Sequence, residues 1–194
     1  NIIKIFNDKE VDEICILDIE ASQNNLDINF DYLSDLASEC FVPLTYGGAI
    51  NSIANMAKIL RLGFEKCLVG SAFYQDNNLV RIAAENFGSQ SVVVSIDFKK
   101  KLMGGYEVFY QSGNIKTGYT PKEAALLAQE MGAGEILLTS INNEGMMDGY
   151  SLEIINEICK LLQKKKIDEA SSRKVWNKLN DIGISHLELQ FAII

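Results

Sequence analysis

Ser91-Val92-Val93-Val94-Ser95-Ile96-Asp97 decides the fold. A run this apolar and this rich in β-branched residues is a strand covered on both faces, the condition of a parallel sheet flanked by helices. Val92, Val94 and Ile96 share one parity, and Val93, Ser95 and Asp97 the other. The wholly β-branched set suits packing on outer helices, whereas the Ser/Asp set suits a barrel interior. The run ends on a carboxylate, at the strand terminus where barrel enzymes carry their reacting groups.

Outward from this segment the same unit recurs. Apolar runs at Glu13–Leu17, Val42–Tyr46, Lys66–Val69, Ser91–Asp97 and Glu135–Thr139 read as buried strands. Helical patterns lie near residues 1–10, 29–40, 51–62, 76–87, 121–131 and 151–163. Gly63, Gly88, Gly132 and Gly134 follow predicted helices, where a left-handed residue ends the helix. A βα unit repeating at about 25 to 45 residues fits a closed barrel or an open doubly wound sheet, and periodicity leaves both open. Between Asp97 and Thr120 the segments Tyr106–Tyr110, Ser112-Gly113-Asn114 and Ile115–Gly118 read as a β-hairpin, a candidate lid or a plain surface excursion.

Composition narrows the function classes. The chain has 194 residues, 47% of them apolar, enough for one sizeable domain but short of the roughly 250 of a complete eight-fold barrel. Its net charge of −8 and the short run Lys164-Lys165-Lys166 give no electrostatic footprint for nucleic acid. No apolar stretch nears the roughly 18 residues of a membrane span and no signal peptide is visible, so a cytoplasmic location without membrane contact is expected. Cys15, Cys40, Cys67 and Cys159 lack metal-ligand spacing and read as reduced core thiols, with no metal expected. The chain opens on Asn1 rather than Met, and a native segment ahead of it is expected.

Three longer segments carry a resemblance. Cys40-Phe41-Val42-Pro43-Leu44-Thr45-Tyr46-Gly47-Gly48-Ala49, Phe87-Gly88-Ser89-Gln90 running into Ser91–Asp97, and Gly132-Ala133-Gly134 running through Glu135 to Ile141 closely resemble the cyclase subunit of imidazole glycerol phosphate synthase, in order and spacing as well as sequence. Ala37-Ser38-Glu39-Cys40 before Phe41 looks closer to paralogues associated with surface-polysaccharide clusters. The resemblance implies an α/β fold of the (βα)8 TIM-barrel type, incomplete in this chain because the first strand and strands seven and eight are not recognisable. It implies one barrel domain over 1–194, family-like over 1–160 and divergent over 161–194.

The resemblance also implies a chemistry. In that family the cyclase takes ammonia from a glutaminase subunit in a heterodimer and adds it to a phosphorylated ribulosyl formimino substrate. Imidazole glycerol phosphate and an aminoimidazole carboxamide ribotide are released, with no cofactor. Two aspartates at the tops of opposite strands act as general acid and base, and Asp97 matches one of them. A carboxylate facing a confined interior loses solvation, which raises its pKa toward that role, although an Asp near a turn also simply bonds the next loop.

Gly47, Gly48, Gly70 and Ser71 match phosphate-contact positions, with Ala49 where the family has a third glycine and Gly70 where it has asparagine. A second phosphate loop resembles Thr139, Ser140 and Gly145, but the family's Asp-Arg-Asp-Gly-Thr has become Asn142-Asn143-Glu144-Gly145-Met146. Glu13, Lys66 and Glu135 each open a strand with inward parity, and in the family they belong to a salt-bridged ammonia gate, with Glu65 beside the subunit interface. Charged residues at strand starts can equally be solvated. Beyond Lys160 a helix at Ser172–Asp181 and a strand at His186–Ile194 are expected, with His186 a surface residue. Two functions follow: the cyclase itself, or a non-catalytic ammonia conduit that activates a glutaminase and serves a separate sugar amidotransferase.

Overall fold

The apolar runs become parallel strands in the computed structural model of the protein, which describes residues 2–24, 26–144, 146, 149–162 and 192–193. Strand β1 (Ile14–Leu17) pairs with β2 (Leu44–Gly47), β2 with β3 (Lys66–Val69), and β3 with β4 (Val92–Lys100), all parallel. The next strand of that series is β7 (Glu135–Ser140), which lies parallel to β4 with Asp97 opposite Thr139. The helices between them are α1 (Ile2–Asp8), α2 (Ile19–Asn24), α3 (Phe30–Glu39), α4 (Ile53–Arg61), α5 (Ser71–Gln75), α6 (Asn78–Phe87), α7 (Pro121–Glu130) and α8 (Leu152–Leu161).

Local chemistry sets the helix starts. Asn29 and Ser52 accept the backbone N–H of Tyr32 and Asn55, and Thr120 forms a reciprocal capping box with Glu123 behind Pro121. Gly63, Gly88 and Gly132 take the left-handed conformation expected of them. Gly134 does not: it is glycine because a Cβ there would collide with the backbone carbonyl of Ser89.

Strand parity divides the interior in two. Val92, Val94 and Ile96 join Met56, Ile59 and Val80 in the outer core between sheet and helices. Leu68, Val93 and Leu137 form a separate cluster on the inner face, with Leu17 packed on it. Truncating such a buried residue to alanine costs roughly 2–5 kcal/mol. The inner cluster makes the concave face of the sheet a lumen with an apolar belt.

Three features extend, correct or agree with the expectation. β4 continues past Asp97 to Lys100 and pairs antiparallel with β5 (Tyr106–Tyr110), which pairs with β6 (Ile115–Lys116). The expected hairpin forms between β5 and β6, and the extension of β4 makes it part of a three-stranded meander; polar Lys99 and Lys100 hid this extension from the apolar pattern. Cys67 alone of the four thiols is fully buried, whereas Cys15 is exposed, because it faces inward on β1, which pairs only with β2. Finally, β8 (Ala192–Ile193) lies antiparallel to β7, so among the described residues the barrel is incomplete and β1 and β8 do not pair. The expected Ser172–Asp181 helix, His186 and the rest of the terminal strand lie outside the described residues.

Candidate functional site

The C-terminal ends of the parallel strands converge on a cavity of about 690 Å³. Asp97 stands in its wall on β4, where the inward parity continues from Val93 and Ser95. The Ser95 hydroxyl donates to Asp97 Oδ1 at 2.8 Å. Burial pushes the Asp97 carboxyl above its ordinary value, and hydrogen bonds from Ser95 and Thr139 pull against that without cancelling it. A carboxyl held in this balance can both take and return a proton.

Gly48, Gly70, Ser71 and Thr139 line the same cavity as Asp97. Gly48 has a φ of 148°, and a Cβ there would lie 2.7 Å from the Asp18 Cβ, so the loop after β2 closes tightly against the end of β1. Ala49 follows with a φ of 49°, a left-handed alanine where the family resemblance expects glycine. Gly47 also borders the cavity, but its missing side chain makes room for Leu68 and Leu17. Ser140 points away from the cavity, its carbonyl accepting the N–H groups of Asn143 and Glu144 in the turn after β7. Gly145 lies outside the described residues.

The turn between β5 and β6 folds over this rim, as a lid would. Gln111 N–H donates to Ser71 Oγ at 3.1 Å, and Lys99 Nζ donates to the Gly113 carbonyl at 2.8 Å while lying 4.5 Å from the Phe109 ring centroid. Gln111 and Ser112 hold φ values of 50° and 54°, a strained pair that these contacts maintain.

The opposite end of the lumen is ionic. Lys66 Nζ lies 2.7 Å from Glu13 Oε2 and 2.7 Å from Glu135 Oε1, and Thr45 Oγ1 donates to Glu13 Oε1 at 2.5 Å. Lys66 and Glu135 side chains are only 12% and 6% exposed, so these strand-start charges are paired rather than solvated. Burial works against the Lys66 ammonium, but the hydrogen bonds and charges of Glu13 and Glu135 outweigh it and raise its pKa. Leu17, Leu68, Val93 and Leu137 separate this ionic ring from Ser95 and Asp97.

Sequence reasoning missed several lining residues. Asp18 directly follows β1 at its C-terminal end, much as Asp97 closes the apolar run of β4, so the same rule could have found it. Asp18 Oδ1 caps α2 by accepting Ala21 N–H at 2.8 Å, and its charge adds to the burial that pushes the Tyr46 phenol up to about 12. Tyr74, Tyr110 and Glu144 also border the cavity and left no signal in spacing. Among the described residues no group of three His, Cys, Asp or Glu side chains could hold a metal ion, and no helix is long and apolar enough to cross a membrane.

Comparison with known proteins shows the family. The model of a family described as histidine biosynthesis protein matches residues 1–168. A Pseudomonas aeruginosa protein provisionally named imidazole glycerol phosphate synthase subunit hisF2 is 42% identical over 158 residues, covering 81% of this chain and 63% of the relative. A Leptospira interrogans protein, provisionally named the HisF subunit of that synthase, is 44% identical over 158 residues, 81% of this chain and 62% of its own. Imidazole glycerol phosphate synthase subunit HisF of Campylobacter concisus is 44% identical over 153 residues, 79% and 61%. The chain thus spans a little over six-tenths of the length of these curated relatives. A family match over most of the chain and a curled, parallel-rich α/β sheet with its cavity at the strand C-termini agree: the chain belongs to the histidine biosynthesis protein family, with an incomplete (βα)8-type barrel.

Proposed function

We propose that the chain acts as the cyclase and lyase subunit of an imidazole glycerol phosphate synthase. Ammonia from a partner glutaminase enters at the Glu13–Lys66–Glu135 end and meets a phosphorylated ribulosyl formimino substrate in the cavity at the other. Asp97 moves protons as the nitrogen adds and the ring closes, while Ser95 orients its carboxyl. Gly48, Gly70, Ser71 and Thr139 hold the substrate's phosphates. Imidazole glycerol phosphate and the aminoimidazole carboxamide ribotide leave from the rim under the β5–β6 turn.

The observation that carries this proposal is a paired ionic ring and a buried carboxyl of raised pKa at opposite ends of one lumen, with an apolar belt between them. Neutral ammonia crosses such a belt more readily than a charged ion, whose desolvation is costly. The test is turnover of the phosphoribulosyl formimino substrate with free ammonium salts, followed by ribotide release. Turnover supports the proposal; substrate binding without turnover contradicts it.

A second function has one observation in its favour. Left-handed Ala49 and the Asn142-Asn143-Glu144 turn alter the phosphate loops, while the ionic ring is fully bonded. That combination suits a conduit that passes ammonia to a separate sugar amidotransferase. Glutaminase activation on mixing, without ribotide release, would favour it.

A further inference from the structure

The cavity wall beside Asp97 contains an aromatic surface that the proposed proton and phosphate chemistry leaves unused. Tyr74, on α5, and Tyr110, at the end of β5, both border the cavity and both are only partly buried. Their ring centroids are 6.0 Å apart with the planes tilted by 33°. Fully buried Phe73 supports the pair from the core, edge-on to Tyr74 with centroids 5.0 Å apart. The Tyr74 hydroxyl donates to the Ser95 carbonyl at 3.0 Å, and the Ser95 hydroxyl donates to Asp97. One serine therefore fixes both the ring and the carboxyl. The Gln111 N–H to Ser71 contact holds the residue next to Tyr110 on the same rim.

We propose that Tyr74 and Tyr110 form a specificity-determining wall on which a planar nitrogen heterocycle of the ligand lies, next to Asp97. This inference rests on the cyclase proposal, in which the released ribotide carries an aminoimidazole carboxamide ring. Phosphate and sugar gain little from an aromatic face, whereas a flat π system gains by offset stacking. The ring spacing is too small for a ligand ring between two tyrosines, since contacts of about 3.5 Å on each side are needed. The heterocycle lies across the exposed surfaces instead.

Equilibrium titration of the full chain with the aminoimidazole carboxamide ribotide and with ribose 5-phosphate tests this. The ribotide binds about tenfold more tightly than ribose 5-phosphate if the ring stacks. Tyr74→Leu and Tyr110→Leu each bring that ratio toward one without changing ribose 5-phosphate affinity, which also reports that the site is folded. Tyr74→Phe keeps the ratio. The ligand's imidazole proton shifts upfield on binding in nuclear magnetic resonance, and the shift shrinks in the leucine variants. Equal affinities in the unsubstituted protein, or an unchanged ratio in both leucine variants, would overturn the wall while leaving the phosphate site standing. Failure of either ligand to bind would overturn the cyclase proposal and the wall together.

Discussion

Lys66 and Glu135 are joined at 2.7 Å although their strands do not pair with each other, β4 running between them. Lys66 reaches Glu13 across β2 in the same way. One ammonium therefore ties β1, β3 and β7 together on the concave face, and its loss leaves two carboxylates facing each other with little solvent. Lys66→Met is expected to destabilise the fold by about 3 kcal/mol in urea denaturation. Lys66→Met with Glu135→Gln recovers part of that loss, because it removes one of the stranded charges. Equal or greater damage in the double variant would contradict the pairing.

The same ring gives an alkaline signature. Lys66 has its folded pKa raised, so its contribution is fully present below the unfolded value of about 10.4 and is lost as pH rises through the higher folded one. Thermal melts from neutral to strongly alkaline pH should show a steeper late decline in the unsubstituted protein than in Lys66→Met.

Asp97 follows the same linkage sign, but at the acid end of the pH range. Its folded pKa is raised, chiefly by burial, so the folded state holds that proton more tightly than the unfolded chain does. Stability linked to it is present below the unfolded value of about 3.9 and is lost as pH rises through the folded value. Asp97→Asn, which still accepts the Ser95 hydroxyl, is expected to stabilise the protein by about 1 kcal/mol at neutral pH. Melts at acid pH should show that gain disappear.

Two neighbouring small residues should respond in opposite directions. Gly48→Ala places a methyl 2.7 Å from the Asp18 Cβ and 2.8 Å from its carbonyl oxygen, at a positive φ. It is expected to cost about 2 kcal/mol. Ala49→Gly relieves a left-handed alanine and is expected to be neutral or stabilising by up to about 1 kcal/mol, against the usual cost of added chain freedom. Denaturation midpoints of both variants check the pair.

Much of this was legible because strand parity is a strict constraint. The assignment of Val93, Ser95 and Asp97 inward and of Val92, Val94 and Ile96 outward follows from period two alone, and the two core clusters divide along it. Lys66–Val69 is bounded by charge and glycine, so its limits were readable to the residue. The meander was only half legible, since Tyr106–Tyr110 has a strand pattern but its partner Phe98–Lys100 is mostly polar. Short α5 hides behind Gly70 because five residues carry too little periodicity. Tyr74 and Tyr110 meet only through the folding of that short helix and that meander, so no spacing rule brings them together.

The most direct test of the account is ammonium-dependent turnover by Asp97→Asn, measured beside its affinity for the ribotide. If Asp97 shuttles the proton in the cavity, turnover falls by about 10² to 10⁴ while ribotide affinity and the melting temperature are kept or raised. Turnover within a few-fold of the unsubstituted protein, in a variant that is folded and binds normally, would remove Asp97 from the chemistry and with it the proposed role of the lumen.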